Sequence, residues 1–262
     1  MANIKRFSLT LGPLAKLASD TDTLHSVPAP ALPSLSAVLA EFSPLPPAAL
    51  FLGLGNDGLP ILLNLLDPLP GAIMIVGDKG SGKTNFLQTI SSSVERAYSP
   101  QEVSYSVITD DLSEWKNVKS SRNCDDILSS RESTAANYLN SLVAWAHSNK
   151  GSQQVELLLI DHLESLLVAA ETLQDLRWLL LRGPSRHVWP IVTIHTSVAV
   201  SEWFGPWLDS FRTRLFGYMH DDHNAKILTG LLNISFTNLI SGSQFVMRDG
   251  NDWLPFWIPT LE

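Results

Sequence analysis

The stretch that decides the fold is Ala72-Ile73-Met74-Ile75-Val76-Gly77-Asp78-Lys79-Gly80-Ser81-Gly82-Lys83-Thr84. Residues 77–84 fit G-x-x-x-x-G-K-[ST] without a gap, a match that chance supplies in roughly 1 in 100 chains of this size at average residue usage. The setting sharpens it: an unbroken apolar run precedes the motif and a helical pattern follows. The chemistry explains the residue types. Phosphates are held by successive inward-pointing backbone N–H groups, which need unusual dihedral angles and no crowding Cβ, and Gly80 and Gly82 provide for this. A helix N-terminus adds partial positive charge. Lys83 brings an ammonium to the β- and γ-phosphates, and Thr84 offers a hydroxyl to Mg²⁺. The expected nucleotide-binding set is Gly77, Asp78, Lys79, Gly80, Ser81, Gly82, Lys83, Thr84 and Asn85, with ATP and Mg²⁺ as cofactors.

Outward from the motif the pattern alternates. Strands are expected at 72–76, 103–110, 155–161, 189–196 and 213–219, and helices at 84–98, 134–147, 173–181 and 221–232. Alternation of this kind implies crossover connections and a mainly parallel sheet covered on both faces, a three-layer α/β fold. Two apolar runs, 49–54 and 59–65, flank Asn56-Asp57-Gly58 and read as a hairpin. Short strands near 244–247 and 254–258 close the chain. Pro28, Pro30, Pro33, Pro44, Pro46 and Pro47 crowd the first fifty residues, so residues 1–48 read as an extension with one short helix at 34–41, ahead of an ATPase domain at 49–262.

A second acidic site is expected where Leu157-Leu158-Leu159-Ile160 runs into Asp161. A carboxylate at the tip of a buried strand would organise Mg²⁺ beside Thr84. His162 follows it and Glu164 lies two residues further on. Three readings of water activation stand: Glu164 swings in as base, His162 does the work itself, or hydrolysis is slow and the chain mainly binds nucleotide. The strand at 191–196 ends in His195 and Thr196, either of which is placed to sense a γ-phosphate. Arg182, Arg186, Arg212 and Arg214 are candidate transition-state arginines, in cis or from a neighbour.

The chain is 45% hydrophobic and only 17% charged, with net charge −8. The low charge, against about a quarter in a typical domain, points to extensive burial in a core or against partner subunits. The acidic balance excludes a general nucleic-acid sponge, although Lys116, Lys119 and Arg122, with Trp115 and Asn117, read as a loop able to face a ring pore. Cys124 is the only cysteine; it excludes an internal disulfide and reads as a loop thiol. No apolar run reaches the ~18–20 residues of a membrane helix and no signal peptide opens the chain, so the expected location is cytoplasmic.

Taken in order, Leu52-Gly53, Asp57-Gly58-Leu59-Pro60, the motif at 77–84, Ile160-Asp161, Ile191–Ser197, Phe211-Arg212-Thr213-Arg214-Leu215 and Ser241-Gly242-Ser243-Gln244-Phe245 resemble the motor core of the FtsK/SpoIIIE and HerA superfamily. The resemblance spans roughly residues 51–258. It implies a RecA-like core working as a homo-oligomeric ring, usually a hexamer, that pumps double-stranded DNA with ATP. His162 stands where that family carries a Glu, and Thr196 where it carries a Gln. Nothing after residue 258 matches the basic DNA-reading domain of some members. The expected function is a ring ATPase acting on double-stranded DNA. Its rivals are a hydrolysis-deficient, nucleotide-dependent binding or assembly module, and an AAA-type loader.

Overall fold

A computed structural model describes residues 32–149, 151–168, 173–250 and 252–262. Most of the expected N-terminal extension therefore lies outside the described residues. Ten strands form one sheet in the order β2-β1-β10-β9-β8-β3-β7-β6-β4-β5. They are β1 (Ala49–Gly55), β2 (Pro60–Asn64), β3 (Ala72–Gly77), β4 (Val103–Thr109), β5 (Cys124–Ser129), β6 (Val155–Ile160), β7 (Val188–His195), β8 (Phe211–Phe216), β9 (Gln244–Asp249) and β10 (Asp252–Trp257). From β8 to β5 every pairing is parallel. From β8 to β2 every pairing is antiparallel, including the β1–β2 hairpin whose turn the Asp57-Gly58 pair signals. The apolar run at 72–76 is fully buried, as a strand sandwiched on both faces must be.

Helices cover the two faces unequally. On one face α2 (Lys83–Ala97) buries Phe86, Leu87, Ile90 and Val94 against Ile73, Ile75 and Tyr105. On the other lie α3 (Ser133–Ser148), α4 (Leu163–Leu166), α5 (Leu173–Arg182), α6 (Thr196–Ala199), α7 (Gly205–Leu208) and α8 (Asp222–Thr229), packed on Met74, Val76, Leu158 and Ile194. The sandwich is the three-layer arrangement expected from the alternating pattern. A short helix, α1 (Leu35–Glu41), is N-capped by Ser34 and packs Leu35, Val38 and Leu39 on Phe51.

Three local expectations are corrected. Cys124 is the first residue of β5 and not a loop thiol, because its backbone pairs with Tyr105 at the sheet edge. That strand lacks the apolar run of the others, its burial being only partial, so no hydrophobic signal marked it. The strand expected at 213–219 runs from Phe211 to Phe216. The helix expected to reach residue 232 stops at Thr229, where Gly230 takes a left-handed conformation (φ 72°) and its N–H bonds to Lys226 O.

Candidate functional site

The parallel strands all end on one side of the sheet, and the chemistry gathers there. The 77–84 loop leaves β3 and enters α2. Gly82 is the N-cap of α2 with φ 92°, and Gly80 has φ 80°. A Cβ on Gly82 would sit 2.5 Å from the Gly242 carbonyl oxygen, so two backbones meet with nothing between them. Ser241 reinforces that contact, its hydroxyl donating to Gly80 O at 2.9 Å. The segment after α8 thus braces the loop from outside, which gives the 241–245 part of the resemblance a physical role.

Lys83 is almost wholly buried and donates to the carbonyls of Gly77 and Asp78, both at 2.9 Å. Burial drives its pKa down, against the opposing pull of the Glu164, Asp161 and Asp78 carboxylates. Lys79 and Asn85 are exposed at the loop crest and on the first turn of α2, and the Ser81 hydroxyl is buried without a partner. Asp78 is buried too. Its carboxylate accepts the His220 backbone N–H at 2.9 Å and contacts the His220 ring. Burial raises the Asp78 pKa, but these bonds outweigh it and the net shift is downward.

Asp161 is fully buried and held by three donors. The Thr193 hydroxyl reaches Oδ1 at 2.8 Å, the Thr84 hydroxyl reaches the same oxygen at 3.2 Å, and the Trp115 indole N–H reaches Oδ2 at 3.3 Å. Thr84 and Asp161 thus meet across the 77 residues that separate them. Trp115 corrects an expectation: it is a fully buried support of Asp161, not part of a pore-facing loop. Lys116, Asn117 and Lys119 remain exposed, while Arg122 reaches toward the carbonyls of Glu95 and Tyr98 near the end of α2.

His162 takes a left-handed conformation (φ 63°) at the start of α4. Its N–H is accepted by the Thr193 hydroxyl at 2.8 Å, and its Nδ1 lies 2.7 Å from Asp110 Oδ1. Burial lowers the His162 pKa, yet the Asp110 bond and the charges of Asp161, Asp110 and Glu164 more than offset it, leaving a net rise. Glu164 accepts the His195 N–H at 3.3 Å through Oε1, and its Oε2 is buried without a partner. His195 turns its ring to Ser197. Thr196 is fully buried, close enough to Asp78 to favour the ionised carboxylate but without hydrogen-bond geometry.

Two residues escaped the sequence reading. Asp110 ends up beside His162 only because β4 and β6 are neighbours. Glu114 lies near Thr84, Asp161 and His162; burial and the charges of Asp161 and Asp111 raise its pKa. No local pattern marks either. The four candidate arginines lie elsewhere. Arg212 is the second residue of β8, and Arg214, at mid-strand in register with Met74, turns its guanidinium back to Leu208 O at 2.8 Å, away from the loop. Arg182 and Arg186 precede β7, at the end of the sheet remote from the loop, so in cis all four are directed away from the phosphates.

Comparison with solved structures agrees with this geometry. The cytoplasmic domain of the type VII secretion ATPase EccC from Thermomonospora curvata superposes with TM-score 0.68 at 17% identity, over 88% of this chain and 28% of that one. A protein described as an ATPase gives 0.70 at 15% identity, over 88% and 96%. The pCW3 conjugation coupling protein TcpA, solved with ATPγS, gives 0.62 at 14% identity, over 84% and 68%. This chain has the fold of these P-loop ATPases. It spans under a third of the EccC chain. No family model and no curated protein matches it.

Proposed function

We propose that this chain is an ATP-binding, ATP-hydrolysing ring ATPase of FtsK/HerA type that acts on double-stranded DNA. The observation that carries the nucleotide reading is the convergence of Lys83, Thr84 and Asp161 at the strand ends, with Thr84 Oγ1 and Asp161 Oδ1 3.2 Å apart. The residues suit Mg²⁺. Among the described residues no group of three or more His, Cys, Asp or Glu side chains could cage a metal. Mg²⁺ takes most of its ligands from phosphate and water and needs only a hydroxyl and a nearby carboxylate from the protein. Thr84 and Asp161 would hold it, and it would neutralise charge developing on the phosphates.

Lys83 is tethered to its own loop by two carbonyls, and a bound β/γ-phosphate offers it stronger, charge-assisted partners. Water activation falls to His162 or Glu164. Thr196, buried beside Asp78 where β7 gives way to α6, is the phosphate-sensing position. The remoteness of the four arginines from the loop favours an arginine supplied by a neighbouring subunit, as a ring provides. DNA as the substrate rests on the family resemblance and the exposed Lys116 and Lys119.

A second reading has its own support. His162 is anchored to Asp110 through Nδ1 and Glu164 to the His195 backbone through Oε1, so each side chain is held in place with only its second polar atom open to a water. A nucleotide-gated binding or assembly module would need neither to act on water. Steady-state hydrolysis by the purified protein, with and without duplex DNA and beside Lys83→Ala, separates the readings. Turnover that rises with DNA and disappears in the variant supports the motor. Lys83-dependent nucleotide binding without turnover sinks it and leaves the module.

A further inference from the structure

At the opposite end of β6 from Asp161, five residues or about 16 Å away along the strand, Glu156 is buried to within 3% of full coverage. Its Oε2 accepts from Ser104 Oγ at 2.5 Å and its Oε1 from Ser106 Oγ at 3.0 Å. The Tyr138 hydroxyl lies 2.6 Å from Ser106 Oγ and 3.1 Å from Oε1. Among the described residues no Lys, Arg or His forms an ion pair with this carboxyl. A buried carboxylate without a cation is costly, and native structures usually pair it.

Beside it lies a cavity of about 270 Å³ between α3 and the β4–β5–β6 edge of the sheet. Glu156, Ser104 and Tyr138 line it together with Asp125, and Leu142 and Trp145 supply apolar wall. The lining carries two carboxyl groups and no basic side chain. That charge rejects an anion. A divalent metal prefers several charged ligands; this lining offers two carboxyl groups, and among the described residues no group of three or more His, Cys, Asp or Glu side chains could hold one. What complements the cavity is one positive charge on an apolar stem, for which aromatic faces add attraction.

We propose that this cavity is a binding site for an organic monocation, an ammonium or guanidinium group on a short alkyl stem, with the Glu156 carboxylate as its counter-ion. The site is remote from the phosphate loop and stands whether or not the chain hydrolyses ATP. The titration of Glu156 agrees with an absent counter-charge. Burial pushes its pKa up to about 7, the Ser104, Ser106 and Tyr138 hydroxyls pull the other way, and Asp125 on β5 is the charged group that faces it and adds to the rise. A cation docking there draws Glu156 into its ionised form, so binding releases a proton near neutrality and tightens as pH rises.

The test is calorimetric titration of the whole chain with n-butylammonium and n-butylguanidinium chlorides, with n-butanol as the neutral control. Saturable binding by either cation, absent for butanol and tighter at about pH 8 than at about pH 6, is expected. Glu156→Gln should weaken it on the order of 10- to 100-fold, as loss of a charged hydrogen-bonding partner does. Asp125→Asn, at an exposed position of β5, should weaken it by a smaller factor and serves if Glu156→Gln does not fold. n-Butylammonium and a blocked lysine peptide separate the sources: tighter binding of the first marks a free amine, of the second a protein side chain. No saturable binding by any of these cations to folded protein overturns the proposal, as does binding that butanol matches or that both variants leave unchanged.

Discussion

Thr193 and Thr196 lie three residues apart at the end of β7, are equally buried, and should respond oppositely to loss of their hydroxyls. Thr193 Oγ1 donates to Asp161 Oδ1 at 2.8 Å and accepts the His162 N–H at 2.8 Å. Thr196 Oγ1 has no hydrogen-bond partner. Valine replaces either side chain at nearly constant shape. In Thr193→Val the bond to a buried carboxylate disappears, worth about 1.5–3 kcal/mol, and the part-buried His162 N–H is orphaned for about 1 kcal/mol more, giving a loss of about 2.5–4 kcal/mol. In Thr196→Val a desolvated, unpaired hydroxyl is removed, so stability is unchanged or rises by up to about 1 kcal/mol. Urea unfolding reads both as midpoint shifts at constant slope. Since Thr193 also fixes Asp161, the Mg²⁺-dependent part of ATP affinity should fall about tenfold in Thr193→Val. A Thr193→Val protein as stable as its parent, or a Thr196→Val protein equally damaged, would refute the view that hydrogen bonds from Thr193 sustain the Asp161 charge.

Three other outcomes are expected. Gly80→Ala and Gly82→Ala both place a side chain at positive φ, but only the second drives a Cβ against the Gly242 backbone; Gly82→Ala should lose nucleotide binding and more stability than the ~1 kcal/mol of backbone strain expected for Gly80→Ala, as fluorescent-nucleotide titration and thermal melts would show. Lys83→Met should lower ATP affinity by more than about tenfold while leaving the melting temperature equal or higher, because a buried ammonium with a depressed pKa is replaced by an apolar chain; an unfolded variant would contradict this. Glu156, at about 7 when folded, keeps a proton that the unfolded chain has already lost; stability should therefore fall as pH rises from about 4.5 to about 7, by about 3 kcal/mol in all, and level off above. Glu156→Gln should remove that slope in denaturation curves collected across the range.

The sequence alone determined the parallel core and the position of the glycine-rich loop between β3 and α2. Those features are written locally: fully buried strands are continuous apolar runs, and the G-x-x-x-x-G-K-T pattern is contiguous in the chain. The hairpin at 49–65 was legible for the same reason, since Asp57-Gly58 marks its turn. Tertiary structure alone decided what surrounds these residues. Asp110 meets His162 and Trp115 meets Asp161 because β4 lies beside β6 in the sheet, an adjacency that no local spacing encodes. Strand β5 hid because an edge strand needs no apolar run, only a partner with free backbone groups. The four arginines looked available to the phosphates until strand direction put Arg182, Arg186 and Arg212 at the far end of the sheet and the Leu208 carbonyl drew Arg214 the same way. Sequence records which groups a segment must bury or cap, whereas the distance between segments is set only when the whole sheet assembles.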